Sequence, residues 1–199
     1  VIRADTFGAL FDYASAFSLQ PLPKGRRVLV ISNAGGPGVM AVDAIDSLGL
    51  TVTYLEAESM EALREQLPGS ATVFNPVDIL GDAQPEQYTI AITTALADVN
   101  VDAIVVVFVE RIGCDPKGIA AAIIACRNDE KPIMVSFIGG QNDTARKMLR
   151  PGGIPEFNCP EHAVSSLKAM CDYVSWKQRP TRIVTRFKVH RRRVERIIH

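Results

Sequence analysis

The strongest constraint on the fold is an alternation that runs the length of the chain. A short apolar run rich in β-branched residues is followed by a polar or glycine-bearing loop, then by a segment with helical periodicity. The apolar runs are Arg27–Ser32 (RVLVIS), Thr51–Tyr54, Ala103–Val109, Pro132–Phe137 and Ile154–Phe157. Helical segments are expected over Val39–Leu48, Ser59–Leu67, Pro85–Ala97, Pro116–Arg127, Gln141–Leu149 and Pro160–Trp176. Ser59 is a plausible cap for the second of these, Pro116 opens another, and Gly49 stands where the first should stop. A further helix over Thr6–Phe17 leads in, with Phe7, Leu10, Phe11 and Ala14 at helical spacing and Asp5 or Thr6 to cap it. Strands this short and this apolar are buried on both faces, and helical crossovers between them force parallel pairing. The pattern predicts an α/β chain with a flavodoxin-like, doubly wound, five-stranded parallel sheet in three α/β/α layers. Ligands in such folds lie beyond the carboxyl ends of the strands.

Composition excludes several other classes. The chain has 199 residues, 47% of them hydrophobic, enough for a core without disulfide or metal staples and too apolar for disorder. No apolar run approaches the ~20 residues of a membrane helix. The opening Val1–Asp5 has no signal-peptide architecture, so a cytoplasmic location is expected. The zero net charge is unevenly spread: Lys177–His199 holds nine basic residues and one acid, leaving thirteen basic and twenty-one acidic groups in residues 1–176. A basic tail with one aromatic residue, Phe187, and no recognised module is read as a linker or docking segment, which argues against a nucleic-acid partner. The expected organisation is a leading helix and connector over 1–25, the flavodoxin-like domain over 26–176, and the basic linker or tail over 177–199.

Catalytic side chains are hard to find. Cys114, Cys126, Cys159 and Cys171 form no CxxC pair, and the histidines lack metal spacing, so structural thiols in a reducing compartment and no metal are expected. Cys126 and Cys171 fall on apolar helix faces. His162, His190 and His199 have no nucleophile or acid at triad spacing, and no residue of this chain is assigned a catalytic role.

The most informative loop is Asn33-Ala34-Gly35-Gly36-Pro37-Gly38, entered from a strand and left through a helix. Its glycines allow close backbone approach, Pro37 pre-sets a first helical turn, and the N–H groups of Gly38, Val39 and Met40 are expected to point free at the helix start. Together, Asn33 through Met40 make a candidate anion site. Neither the dinucleotide nor the P-loop glycine spacing is met. The alternative is that the glycines only let helix and strand pack closely. A second loop, Asn75–Gly81, places Asp78 at the same sheet edge, to hold a substrate group or to cap backbone amides. A third, Glu110-Arg111-Ile112-Gly113, follows the central strand, where site loops gather but where any exposed loop would also carry charge. Gly139-Gly140-Gln141-Asn142 follows the next strand.

The stretches GRRVLVISNAGGPGVMAVDAIDSLGL and FNPVDILGDA resemble the NDP-forming acyl-CoA synthetases, also called ADP-forming acetate–CoA ligases, in their succinyl-CoA-ligase-like flavodoxin domain. VDAIVVVFVERIGCDP, KPIMVSFIGG and GIPEFNCPEHAVSSL extend the resemblance from about Val1 to Trp176, and the pairing of NAGGPG with NPVD carries most of it. The resemblance implies the reaction acid + CoA + ATP ⇌ acyl-CoA + ADP + phosphate, through a phosphohistidine supplied by another domain. It implies CoA-binding and phosphohistidine domains upstream, an ATP-grasp domain or subunit, and a possible oligomer. ATP or ADP, Mg and CoA belong to the complete enzyme, with no cofactor held by this domain alone. On the same basis the helix start at Gly35–Met40 matches a phosphoryl-holding helix. Glu110–Gly113, with Ile112, matches the place of the organic acid, though Glu110 and Arg111 depart from the small residues usual there. A fragment of this kind is expected to be inert by itself. The alternative is a non-catalytic regulatory or scaffold domain of a protein acetyltransferase fusion.

Overall fold

The computed structural model describes residues 2–139 and 143–180. The basic segment beyond Pro180 and the turn residues Gly140, Gln141 and Asn142 lie outside the described residues. Within them the chain runs α1 (Phe7–Leu19), β1 (Arg27–Ser32), α2 (Gly35–Ser47), β2 (Thr51–Val52), α3 (Ala57–Gln66), β3 (Val77–Asp78), α4 (Pro85–Ala97), β4 (Ala103–Val109), α5 (Pro116–Ala125), β5 (Ile133–Ile138), α6 (Asp143–Leu149), β6 (Glu156–Phe157) and α7 (Pro160–Lys177).

The strands are parallel in the order β2-β1-β4-β5-β6, the doubly wound arrangement. Alternation along β4 feeds two cores. Ile104, Val106 and Phe108 face α3, α4, α5 and α6, whereas Ala103, Val105 and Val107 face α2 and α7, with α1 laid outside α7. Every residue of β4 except the last is buried, which is why its sequence reads as unbroken apolar. No described helix is long and apolar enough to cross a membrane.

Three local expectations are corrected. The sheet has six strands, not five: Val77–Asp78, expected as loop, pairs with β1 at Ile31 and Ser32. The second strand stops at Val52 rather than Tyr54, because the Asn75 side chain takes the Thr53 carbonyl at 2.8 Å. The third helix starts at Ala57, so Ser59 lies inside it rather than capping it. Thr6 does cap α1, its hydroxyl accepting from Ala9 N–H at 3.1 Å. Leu48 ends α2, and Gly49 adopts φ +69°, a left-handed conformation suited to glycine.

Asn75 explains how two short strands can share one edge of β1. β2 covers Arg27 and Val28, and β3 covers Ile31 and Ser32. Between them the Asn75 side chain takes the place of a strand residue: its Oδ1 accepts from Val30 N–H at 3.0 Å, and its Nδ2 donates to the Val28 and Thr53 carbonyls at 2.8 Å each. The Asn75–Pro76 peptide bond is cis.

At the opposite end of β1, Arg27 forms a forked pair with Asp102, which also accepts from the Arg27 backbone N–H at 2.9 Å. Burial pushes the Asp102 carboxyl up, but hydrogen bonds from the Arg27 side chain and backbone, with the nearby charges, outweigh it and hold the group below its ordinary range. Asp172 is lowered likewise, burial again opposing the hydrogen bonds from Lys168 and Arg26. Groups lowered in the folded state bind protons first in the unfolded chain. Their stabilisation is therefore complete above the ordinary carboxyl pKa of about 4 and is lost as pH falls below it. Thermal unfolding followed by circular dichroism should show a level midpoint from neutral pH to about 5, a steep fall below about 4, and a shallower acid limb in Asp102→Asn. An acid limb unchanged in Asp102→Asn would remove this group from the account. Burial also raises the Cys171 thiol to about 11, so it stays protonated and inert at neutral pH.

Candidate functional site

The chain leaves β1 toward β2 and leaves β4 toward β5, so the sheet order reverses between these neighbours. Their carboxyl ends flank the crevice where doubly wound folds place ligands. The loop after β1 is very short, because α2 already begins at Gly35. The Ser32 hydroxyl closes the turn, accepting from Ala34 N–H at 3.1 Å and donating to the Ala34 carbonyl at 2.8 Å.

That early start moves the free donors. Gly38 N–H bonds the Ala34 carbonyl at 3.1 Å, and Val39 and Met40 fall in the regular helical ladder, so these three are not the free amides the sequence suggested. Pro37 has no N–H. The groups left at the helix start are the N–H donors of Gly35 and Gly36, which find no acceptor among the described residues, and Ala34 at the cap has no side-chain oxygen to offer.

The three glycines divide between the two roles that the sequence left open. A Cβ on Gly38 would stand 3.1 Å from Ser32 Cβ and 3.4 Å from Pro76, so Gly38 is the packing glycine that seats α2 against β1. A Cβ on Gly36 would meet nothing within 4 Å, so packing does not require glycine there. Gly35 is intermediate, with Asp78 Oδ2 3.7 Å from its would-be Cβ.

Asn33 belongs to the scaffold rather than to the open site. It is buried, its Nδ2 donates to the Val109 carbonyl at 2.9 Å, and its Oδ1 accepts from Val109 N–H at 2.8 Å. The side chain thus carries the β1–β4 pairing one step past the last ladder bond and ties the two site loops together. Asp78 is brought to the α2 start as expected, and it also caps: Oδ1 accepts from Leu80 N–H at 2.9 Å.

In the loop after β4, Glu110 and Arg111 do not pair with each other. Glu110 turns inward and its Oε2 is buried without a partner among the described residues. Arg111 lies across Gly81, whose would-be Cβ is 3.0 Å from Nε, and Ile112 is fully exposed. The Cys114 thiol closes this loop by donating to the Arg111 carbonyl at 2.9 Å. Behind it Tyr88 is fully buried with a hydroxyl that has no partner among the described residues, held un-ionised by burial, with Cys114 and Asp78 adding to the effect. Sequence reasoning missed the Asn75 and Asn33 bridges. Their only signal was an amide residue next to strand ends, which serves equally well in turns. No group of three or more His, Cys, Asp or Glu is placed to hold a metal ion among the described residues. The site offers oriented amides and a helix dipole, a means of stabilising an anion without a titratable base.

Residues 28–178 match the Ligase-CoA domain family. The chain is similar to the alpha subunit of an ADP-forming acetate–CoA ligase I from Pyrococcus furiosus, at 36% identity over 181 residues, covering 89% of this chain and 39% of that subunit. Among solved structures it superposes on PH0766 from Pyrococcus horikoshii OT3 with a TM-score of 0.81 at 36% identity, covering 86% of this chain and 41% of that one. It also superposes on a Ca. Korarchaeum cryptofilum dinucleotide-forming acetyl-coenzyme A synthetase 1 in complex with phosphate and ADP, with a TM-score of 0.77 at 29% identity, covering 89% and 40%. The chain therefore spans about two fifths of the length of each of these three proteins.

Proposed function

The chain belongs to the Ligase-CoA domain family, and from that premise we propose that it is the phosphate-holding domain of an ADP-forming acyl-CoA synthetase. The complete enzyme would interconvert acid, CoA and ATP with acyl-CoA, ADP and phosphate. CoA-binding and phosphohistidine domains and an ATP-grasp domain or subunit would supply the remaining parts, with Mg accompanying the nucleotide. The observation that carries this reading is the pair of unengaged N–H groups of Gly35 and Gly36, at the start of a thirteen-residue helix beside the crevice.

The chain's own contribution is electrostatic. Two backbone donors and the positive end of the α2 dipole point where a phosphoryl oxygen would rest, and they need no reorganisation when charge arrives. Pro37 fixes the first turn without adding a donor. Asn33 holds this loop in register with β4, so the helix start and the Glu110–Asp115 loop keep a set spacing. The Asp78 carboxylate beside Gly35 opposes an anion there and biases it toward Gly36.

Inorganic phosphate titrated into the chain, followed by ³¹P NMR, should bind saturably. Gly36→Val should weaken it roughly tenfold or more by crowding the donor, with the thermal midpoint little changed, because the space around Gly36 is open. Asp78→Asn should tighten binding several-fold. Equal phosphate affinity in the parent chain and Gly36→Val would sink the proposal.

A further inference from the structure

Away from that crevice, a cleft of about 640 Å³ opens between the lead-in to α1, the end of α2 and the C-terminal half of α7. Its volume lies within the ~300–1,000 Å³ typical of small-molecule sites. Its wall is a stripe along α7, where Lys168, Asp172 and Trp176 recur at helical spacing on one face, with Arg179 just past the helix end.

Three observations say what would fill it. The first is charge. Arg26, at 2.7 Å, and Lys168 both pair with the single carboxylate of Asp172, and Arg179 has no acidic partner among the described residues. Cations on the cleft wall therefore exceed acids even after Arg3 is matched with Asp5 at 2.8 Å. The second is an unmet donor: the Nε of Arg26 is buried and has no acceptor among the described residues. The third is an aromatic platform. Trp176 stacks on Tyr173 with ring centroids 5.9 Å apart and 30° between planes, yet remains 54% exposed. An exposed indole beside surplus positive charge suits a planar ring that carries an anionic tail.

We propose that this cleft binds a nucleotide, its base against Trp176 and its phosphates against Lys168, Arg26 and Arg179. Asp172 neutralises only one of the two cations it touches, so phosphoryl oxygens supply the missing acceptors. Burial of the base covers indole surface that is otherwise wet. The site is separate from the α2 helix start and does not depend on the phosphate reading made for it.

Trp176 is the only tryptophan of the chain, so its emission reports occupancy directly. ADP titrated into the 199-residue chain should quench it saturably, with adenosine and inorganic pyrophosphate each binding at least tenfold more weakly, since each keeps half of the recognised features. Lys168→Gln and Arg179→Gln should each weaken ADP about tenfold, and Trp176→Ala, followed by calorimetry, should do the same. Absence of saturable quenching up to about 5 mM ADP would overturn the proposal. So would adenosine matching ADP, which means stacking alone, or pyrophosphate matching ADP, which means unselective charge.

Discussion

Replacing Asn75 with alanine is expected to lower the unfolding free energy by about 2–4 kcal/mol, several times the effect of an ordinary surface substitution. The reason lies at the outer edge of β1. Val30 is fully buried and its N–H faces the gap between β2 and β3, where Asn75 Oδ1 is its acceptor. Alanine leaves that donor unsatisfied and strips the Thr53 carbonyl of its partner, while the Val28 carbonyl keeps a bond from Thr53 N–H at 3.2 Å. Two buried backbone groups are thus orphaned, each costing about 1–3 kcal/mol, partly relieved if water enters. Asn75→Asp should be no better, because a carboxylate accepts from Val30 but repels the two carbonyls that the amide serves. Chemical denaturation followed by circular dichroism measures the loss. A cost under about 1 kcal/mol would show that the β1 edge does not rely on this side chain.

The second large effect is expected at Gly38. Gly38→Val should destabilise by about 1–3 kcal/mol, because even its Cβ would crowd Ser32 and the Pro76 ring, and valine adds two further methyl groups at this buried position. The α2 helix would have to lift from β1, dragging the Gly35 and Gly36 donors with it. Phosphate affinity should then fall together with stability, whereas Gly36→Val should lose affinity alone. Side-by-side melts and phosphate titrations of the two variants separate packing from binding within one loop. Equal melting midpoints for both would contradict the division of labour drawn from the geometry.

Much of the architecture was legible in the sequence because the determinants are local. β4 reads as an unbroken apolar run because both its faces are covered, and α4 matches its expected bounds because Pro85 opens it and the apolar residues that follow recur at helical spacing. The candidate site was legible as a place, since a strand running through glycines into a helix marks the carboxyl edge of a doubly wound sheet. Its details were less so. Gly38, Val39 and Met40 looked like the free amides because helical periodicity was expected from Val39, with Pro37 pre-setting the first turn. The helix instead begins four residues earlier, at Gly35. Glu110 and Arg111 stood out as charges where the resembling enzymes carry small residues, but only the folded loop shows that they part, Glu110 turning inward and Arg111 lying across Gly81.

By itself, the sequence determined the alternating elements, their parallel winding, the burial of the central strand and the location of a glycine-bearing helix start at the carboxyl end of β1. All of these follow from periodicity, turn chemistry and apolar content within short windows. Tertiary structure alone decided that Asn75 replaces a missing strand residue, that Asn33 rivets β1 to β4, that Gly38 packs while Gly36 stays open, and that Arg26, Lys168 and Trp176 share a cleft. Each of these depends on groups brought together from distant parts of the chain. A buried backbone group must find a partner wherever the fold offers one, and a side chain is crowded or free only by virtue of what the fold sets against it.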